Sequence, residues 1–281
     1  MPYPNIDPVV IKFWKLEIRW YGIMYLLAFI TAFFVIGHLA KKRGIKLTGD
    51  DLWDYIFYLM LGVIIGGRLG YCLFYWPGGL VALLSNPLMI FAVWLGGMSF
   101  HGGFIGVILA VIYCSRRKGI PFYDIADITA VAGPIGIGLG RIGNFINGEL
   151  WGRATDVPWC MVFPLDELSL CRHPSQLYES LLEGLVLFLI IFTMNVRGVR
   201  RGIPTWSFIA FYGLFRFSME FFRQPDPHLG FIIGPFSMGQ LLTLPMMLIG
   251  GAMIIYLLVR GESPSDKKNK GKKKEGGKAK P

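Results

Sequence analysis

Residues 20–40 read WYGIMYLLAFITAFFVIGHLA, with no lysine, arginine, aspartate or glutamate among them. The hydrocarbon core of a bilayer is about 30 Å thick, so a helix rising about 1.5 Å per residue crosses it with roughly 20 apolar residues. This run is long enough to span. Six more follow: about Leu52 to Tyr75, one within Leu88 to Cys114, about Ile125 to Gly143, about Gln176 to Met194, roughly Ile203 to Phe222, and Met238 to Val259. Over the 281 residues 54% are hydrophobic and 16% charged, against about 25% charged in soluble domains. The runs are continuous rather than alternating, which favours helices over a closed barrel as the way to satisfy backbone groups in lipid. The reading is an all-α, polytopic protein of seven transmembrane helices. The connections are too short for a second domain, giving one membrane body over 1–260 and a tail over 261–281.

Lysine and arginine concentrate in cytoplasmic loops. Lys41, Lys42, Arg43 and Lys46 follow the first run, Arg116, Arg117 and Lys118 the third, Arg197, Arg200 and Arg201 the fifth, and Arg260 with eight lysines the seventh. Alternate loops agree, which places the N-terminus outside and the C-terminus inside. Lys12, Lys15 and Arg19 push the other way, with Asp7 and Glu17 partly offsetting them. The opening MPYPNIDPVV lacks the basic start and apolar core of a cleavable signal peptide, so the first span is expected to act as its own signal. IKFWKLEIRWYG mixes aromatic and basic residues and reads either as an interfacial segment or as a plain lead-in. GESPSDKKNKGKKKEGGKAKP at the end is expected to be disordered. Its lysines read as topology determinants that touch anionic membrane lipid, and no nucleic acid partner is implied. Of the four cysteines, at 72, 114, 160 and 171, no pair has metal-ligand spacing. Cys160 and Cys171 share an outside loop, where a disulfide is allowed in an oxidising compartment.

Polar residues inside a membrane are costly and mark function by default. Topology sets their depth. Arg68 lies about two turns from the outer end of the second span, and His101 in the outer half of the third. Arg141 closes the fourth span, followed at once by Asn144, Asn147 and Glu149. Tyr212, Arg216 and Glu220 form an i, i+4, i+8 stripe on the sixth, and Tyr21 starts the first. Five distant spans thus bring polar groups to one outer level. Taken singly, these residues have structural readings, such as an arginine snorkelling to the interface or an i, i+4 ion pair. Together, arginines at one depth repel unless anions sit among them. Glu149 and Glu220 neutralise only part of that charge, and the deficit suggests a bound anion such as phosphate, which suits forked guanidinium donors.

Glycines repeat every fourth residue at Gly62, Gly66 and Gly70, at Gly102 and Gly106, and at Gly136 and Gly140, as in close helix packing in lipid. Gly96, Gly97, Gly102 and Gly103 around SFHGG instead suggest a broken or re-entrant start to the third span, leaving His101 poised at the break. His173, before Pro174, is read as structural, as are Asp124 and Asp127 at the start of the fourth helix. His38 and His228 suggest no partner.

A cationic outer-leaflet site with one histidine fits a reaction on an anionic phospholipid. There is no metal motif, P-loop or G-x-S-x-G elbow, so no metal or cofactor is expected. The nucleophile is then one the acceptor brings, with His101 as general base.

GRIGNFINGELWG over 140–152 resembles the signature of the bacterial prolipoprotein diacylglyceryl transferases, matching it at Gly140, Arg141, Gly143, Asn144, Phe145, Asn147, Glu149 and Gly152. MSFHGGFIG, GGRLGY, RHPSQLYE, YGLFRFSMEFFRQPD and WYGIMY are similar to that family's other blocks, from Trp20 to about Leu258. The resemblance implies seven spans and transfer of the diacylglyceryl group of phosphatidylglycerol to the lipobox cysteine thiol of a preprolipoprotein, with glycerol phosphate leaving. It implies that His101 activates the thiol and that Arg141 and Arg216 hold the phosphate. Asn144, Glu149 and Gly152 would shape the site, supported by Tyr21, Tyr212 and Glu220, with Arg68 also counted among the lipid-binding residues. The loop between Arg153 and Arg172 and the lysine tail match no block. An anion or phospholipid transporter is the rival reading, against which stand the lack of an internal repeat and the clustering of polar groups at one face. A scaffold leaves the matched arginines and glutamates unexplained.

Overall fold

The computed structural model describes residues 1–4, 6–14, 16–76, 79–92, 97–224, 231–234 and 236–260. Lys15, Gly96, His228 and the lysine-rich tail lie outside the described residues. Helices carry most of the chain: α1 Trp20–Arg43, α2 Asp50–Phe74, α3 Gly79–Ser85, α4 Phe100–Lys118, α5 Phe122–Thr129, α6 Ala132–Ile146, α7 Ser175–Glu179, α8 Leu187–Arg197, α9 Ile203–Met219 and α10 Met238–Val259. A π-helical stretch, Ser180–Val186, joins α7 to α8 without a break. Among the described residues five helical stretches are long and apolar enough to cross a membrane: 20–43, 50–74, 122–146, 175–197 and 238–259. They fall on the first, second, fourth, fifth and seventh apolar runs. The third and sixth runs form α4, of 19 residues, and α9, of 17.

All-α understates the fold in one respect. Among the described residues three antiparallel hairpins accompany the helices, the first ahead of α1 and the others between later helices: β1 Val9–Phe13 with β2 Leu16–Arg19, β3 Met161–Val162 with β4 Cys171–Arg172, and β5 Phe231–Ile233 with β6 Phe236–Ser237. Strands this short carry too few residues to display an alternating pattern, so hydropathy does not reveal them.

The chain divides into two compact units, one of residues 1–31 and 130–281, the other of residues 32–129. In the second unit α2 and α4 meet along their glycines. A Cβ at Gly66 would stand 2.3 Å from the Gly102 carbonyl oxygen, and one at Gly106 would stand 1.9 Å from that of Gly62. Only hydrogen fits there, which is why small residues recur at this spacing. The expected broken start of the third span takes this form: a 3₁₀ turn at Pro87–Phe91, and an irregular stretch at 97–99 before α4. That stretch is tied to α2, since Ser99 N donates to Gly67 O at 2.8 Å. Ser99 then caps α4, its hydroxyl accepting from Gly102 N at 3.2 Å. At the far end of the unit, Arg43 pairs with the buried Asp127 at 3.4 Å.

In the first unit α6 packs on the π-helical stretch. The Gly136/Gly140 spacing does not make this contact, for a Cβ at either glycine meets nothing within 4 Å. Gly138 approaches Gly184 instead, where an added Cβ would stand 3.0 Å from the Gly184 Cα, and Ser180 Oγ donates to Gly138 O at 3.0 Å. Helix rotation, absent from the spacing rule, selects the face. α10 begins at a capping box in which Gln240 N donates to Ser237 Oγ and Ser237 N donates to Gln240 Oε1. The loop over 153–172 is closed by the Cys160–Cys171 disulfide and by Arg172, which donates to both oxygens of Asp166 at 2.6 and 2.9 Å. Cys72 and Cys114 are free and buried.

Candidate functional site

α6 carries Arg141 and Asn144 one turn apart, then ends through Asn147 and Gly148 into Glu149. These polar groups close on one another. Asn144 Nδ2 and Asn147 Nδ2 donate to Glu149 Oε1 at 2.9 and 3.1 Å, while Gln176 Nε2 donates to the Glu149 main-chain oxygen at 2.7 Å. Gly152 completes the segment by bridging to Arg223 and donating its N–H to His173 O at 2.9 Å. A Cβ at Gly152 would lie 2.5 Å from Phe222 O and 2.7 Å from His173 O. Three backbones pass here, and a side chain would part them. Burial holds the His173 imidazole below its usual pKa, and its Nδ1 lies 3.2 Å from the Tyr178 hydroxyl.

Arg141 and Arg216, distant in sequence, converge on one carboxylate. Arg141 Nε lies 2.7 Å and Arg216 Nη1 3.0 Å from Oε2 of Glu179, with Arg223 Nη1 at 3.8 Å from the same atom. Arg216 Nη2 also pairs with Glu220 at 2.7 Å, and its Nη1 is 3.9 Å from Glu183. Arg141 Nη1 reaches Asn144 Oδ1 at 3.4 Å. Tyr212 is buried beside Arg216, Arg141 and Glu183. Tyr21 lies against α6, its Cδ2 2.9 Å from where a Cβ on Gly143 would be, and its hydroxyl is 3.3 Å from that of Tyr25. Arg153, from the loop without a motif, donates to Arg223 O and Glu220 O at 3.1 and 3.3 Å.

The charge argument from sequence needs correcting here. It set Arg141, Arg216 and Arg68 against Glu149 and Glu220 and found a deficit that called for an anion. Within this unit Arg141, Arg216 and Arg223 face Glu179, Glu183 and Glu220. Glu149 takes its hydrogen bonds from two asparagines instead. The guanidiniums are therefore balanced as they stand. They are held in place in advance by buried carboxylates, which suits groups that must meet charge developing on a substrate without reorganising.

Glu179, Glu183, Arg223 and Gln176 escaped the sequence reading. Glu179 and Glu183 share a helical face four residues apart in an otherwise apolar run, and that spacing is the signal that was available. Arg68 and His101 belong to the other unit. Arg68 is fully buried on α2, donating to Gly97 O at 3.2 Å, with its guanidinium 5.6 Å from the ring centroids of both Tyr71 and Trp76. His101 is exposed on the first turn of α4, edge-on to Phe100 at 5.7 Å. Among the described residues no group of three or more His, Cys, Asp or Glu is arranged to hold a metal ion.

The profile of the family described as prolipoprotein diacylglyceryl transferase matches residues 8–256. A protein of Geobacter sulfurreducens named phosphatidylglycerol–prolipoprotein diacylglyceryl transferase is 57% identical over 264 residues, covering 94% of this chain and all of its own length. Proteins of the same name from Bordetella avium and Pseudomonas putida are 51% and 49% identical, each covered over at least 95% of its length and covering at least 92% of this chain. With nearly the whole chain matched at such identity, this protein belongs to the prolipoprotein diacylglyceryl transferase family.

Proposed function

We propose that this chain transfers the diacylglyceryl group of phosphatidylglycerol to the lipobox cysteine thiol of exported preprolipoproteins, the first step of bacterial lipoprotein maturation. The observation that carries the reading is the meeting of Arg141 and Arg216 on Glu179 Oε2, which sets two guanidiniums side by side for one phosphate. In the reaction the sulfur forms a bond to the terminal glyceryl carbon. The C–O bond to phosphate breaks, and its electron pair leaves with glycerol 1-phosphate. Arg141 and Arg216 meet the charge that gathers on the leaving oxygen. Asn144, Glu149 and Gly152 keep the end of α6 in shape beside Arg141, and Tyr21, Tyr212 and Glu220 support it. Arg68, counted among the lipid-binding residues, ties α2 to the stretch before α4.

The thiol proton needs a base, because a thiol of pKa about 8.5 is only a few per cent ionised near neutrality. His101 is assigned that role on its chemistry and its exposure at the start of α4. The acceptor supplies the sulfur, in keeping with the burial of Cys72 and Cys114 and the pairing of Cys160 with Cys171. We read the chain as an inner-membrane protein of seven spans with its N-terminus outside and its site at the outer leaflet. Five helices of crossing length, α4 and α9 between them, and the alternation of basic loops support that reading.

The test mixes detergent-purified protein, phosphatidylglycerol and a lipobox peptide, and reads the peptide mass. A diacylglyceryl increment, lost when the peptide cysteine is replaced by serine, is the expected result. Lipid movement between leaflets without any peptide modification would sink the reading in favour of a transporter.

A further inference from the structure

Gln176, Glu179 and Glu183 follow one another at i, i+3 and i+7 through α7 and the π-helical stretch, and each is completely buried. Their oxygens are not all used. Gln176 Oε1, Glu179 Oε1 and both oxygens of Glu183 take no hydrogen bond from any described residue. The orientation of the Gln176 amide is set by its Nε2 donating to Glu149 O at 2.7 Å, so a flip does not remove the vacancy. A buried acceptor left unmet costs about 1–3 kcal/mol, and more when charged, and native proteins leave few of them. Four together, beside the arginines, mark a place where donors arrive with a ligand.

The phosphate of a lipid cannot fill these positions, since it offers only acceptors and is met by the guanidiniums. What fits is a donor-bearing group attached to that phosphate. On the lipid of the proposed reaction those donors are the hydroxyls of the glycerol headgroup, each able to donate to a carboxylate or amide oxygen. Building on the transferase reading, we infer that Glu183, with Glu179 Oε1 and Gln176 Oε1, accepts hydrogen bonds from the hydroxyls of a glycerol headgroup and selects the lipid substrate by that headgroup. Glu183 is thereby a specificity-determining residue, and the π-helical stretch is the element that carries it.

The experiment measures transfer to a lipobox peptide from three lipids with identical acyl chains: phosphatidylglycerol, phosphatidylethanol, which lacks headgroup hydroxyls, and phosphatidylethanolamine. Sites built to bond a hydroxyl reject analogues without one strongly. The unmodified protein is expected to favour phosphatidylglycerol over phosphatidylethanol at least tenfold in kcat/KM. Glu183→Leu should bring that ratio close to one, and Glu183→Gln, which keeps one acceptor, to a value between. The ratio is read within each variant, so a general loss of folded protein leaves it interpretable. A ratio unchanged in both variants leaves only water at these oxygens and overturns the inference, as does equal use of phosphatidylethanolamine by the unmodified protein. Absence of transfer from every lipid by the unmodified protein removes the transferase reading itself, and the inference with it.

Discussion

Arg141 and Arg216 share one oxygen, Glu179 Oε2, at 2.7 and 3.0 Å. Glu179→Gln removes the charge that holds them together and leaves neighbouring guanidiniums facing each other in a buried place. Breaking a buried pair on one side costs about 3–5 kcal/mol. The thermal unfolding midpoint in detergent should fall by several degrees, and an unchanged midpoint would mean that the carboxylate does not hold the cluster.

Arg141→Ala takes one donor from the site while Glu179 keeps Arg216. One oriented donor at a developing charge is worth about 3 kcal/mol, so the rate of diacylglyceryl transfer should drop roughly 100-fold or more. A stopped-time mass assay reads this directly. Turnover at the unmodified rate would remove Arg141 from the mechanism.

A base works in its neutral form, so a rate that depends on His101 rises with pH as the imidazole loses its proton. His101→Gln should lower the rate and flatten that rise. Full activity with the same pH profile would refute the assignment.

The α2–α4 seam has no room for a side chain. Gly66→Val places a Cβ 2.3 Å from Gly102 O, and the yield of monodisperse protein should collapse. Gly136→Ala, where a Cβ meets nothing within 4 Å, should leave the yield unchanged. Equal yields from the two would count against the packing.

Hydrogen bonds from Arg172 hold the Asp166 carboxyl below its usual pKa. A depressed carboxylate adds stability above its unfolded pKa and loses it as pH falls through the folded value. Cleavage of the loop over 153–172 by an acid-active protease should therefore rise as pH drops below the ordinary carboxylate range. In Asp166→Asn the loop should be cleaved readily at higher pH as well, with a flatter profile. Identical profiles would contradict the ion pair.

Much of this was readable along the chain. An apolar run long enough to cross a bilayer is a local property, and 20–43, 50–74 and 238–259 form helices of crossing length where the runs lie. The signature spacing likewise places Arg141, Asn144 and Glu149 within two turns, whatever the rest of the fold does. The small-residue repeat on α2 and α4 was also legible, because backbone contact tolerates only glycine. The hairpins were not, being too short to show a period, nor was the Cys160–Cys171 link more than one allowed pairing.

Partner choice across helices lay beyond the linear pattern. Gly138 rather than Gly136 or Gly140 meets the neighbouring helix, Glu149 pairs with asparagines rather than arginines, and Arg68 is bound to Gly97 O. The sequence by itself determined which segments are apolar and long enough to cross a membrane and which polar residues they carry, since both follow from local hydropathy and spacing. Only the tertiary structure decided that Glu179 gathers Arg141, Arg216 and Arg223 and that Glu183 keeps its oxygens open. Those contacts depend on the rotation and crossing of packed helices, and these are set by long-range packing that no stretch of the chain encodes alone.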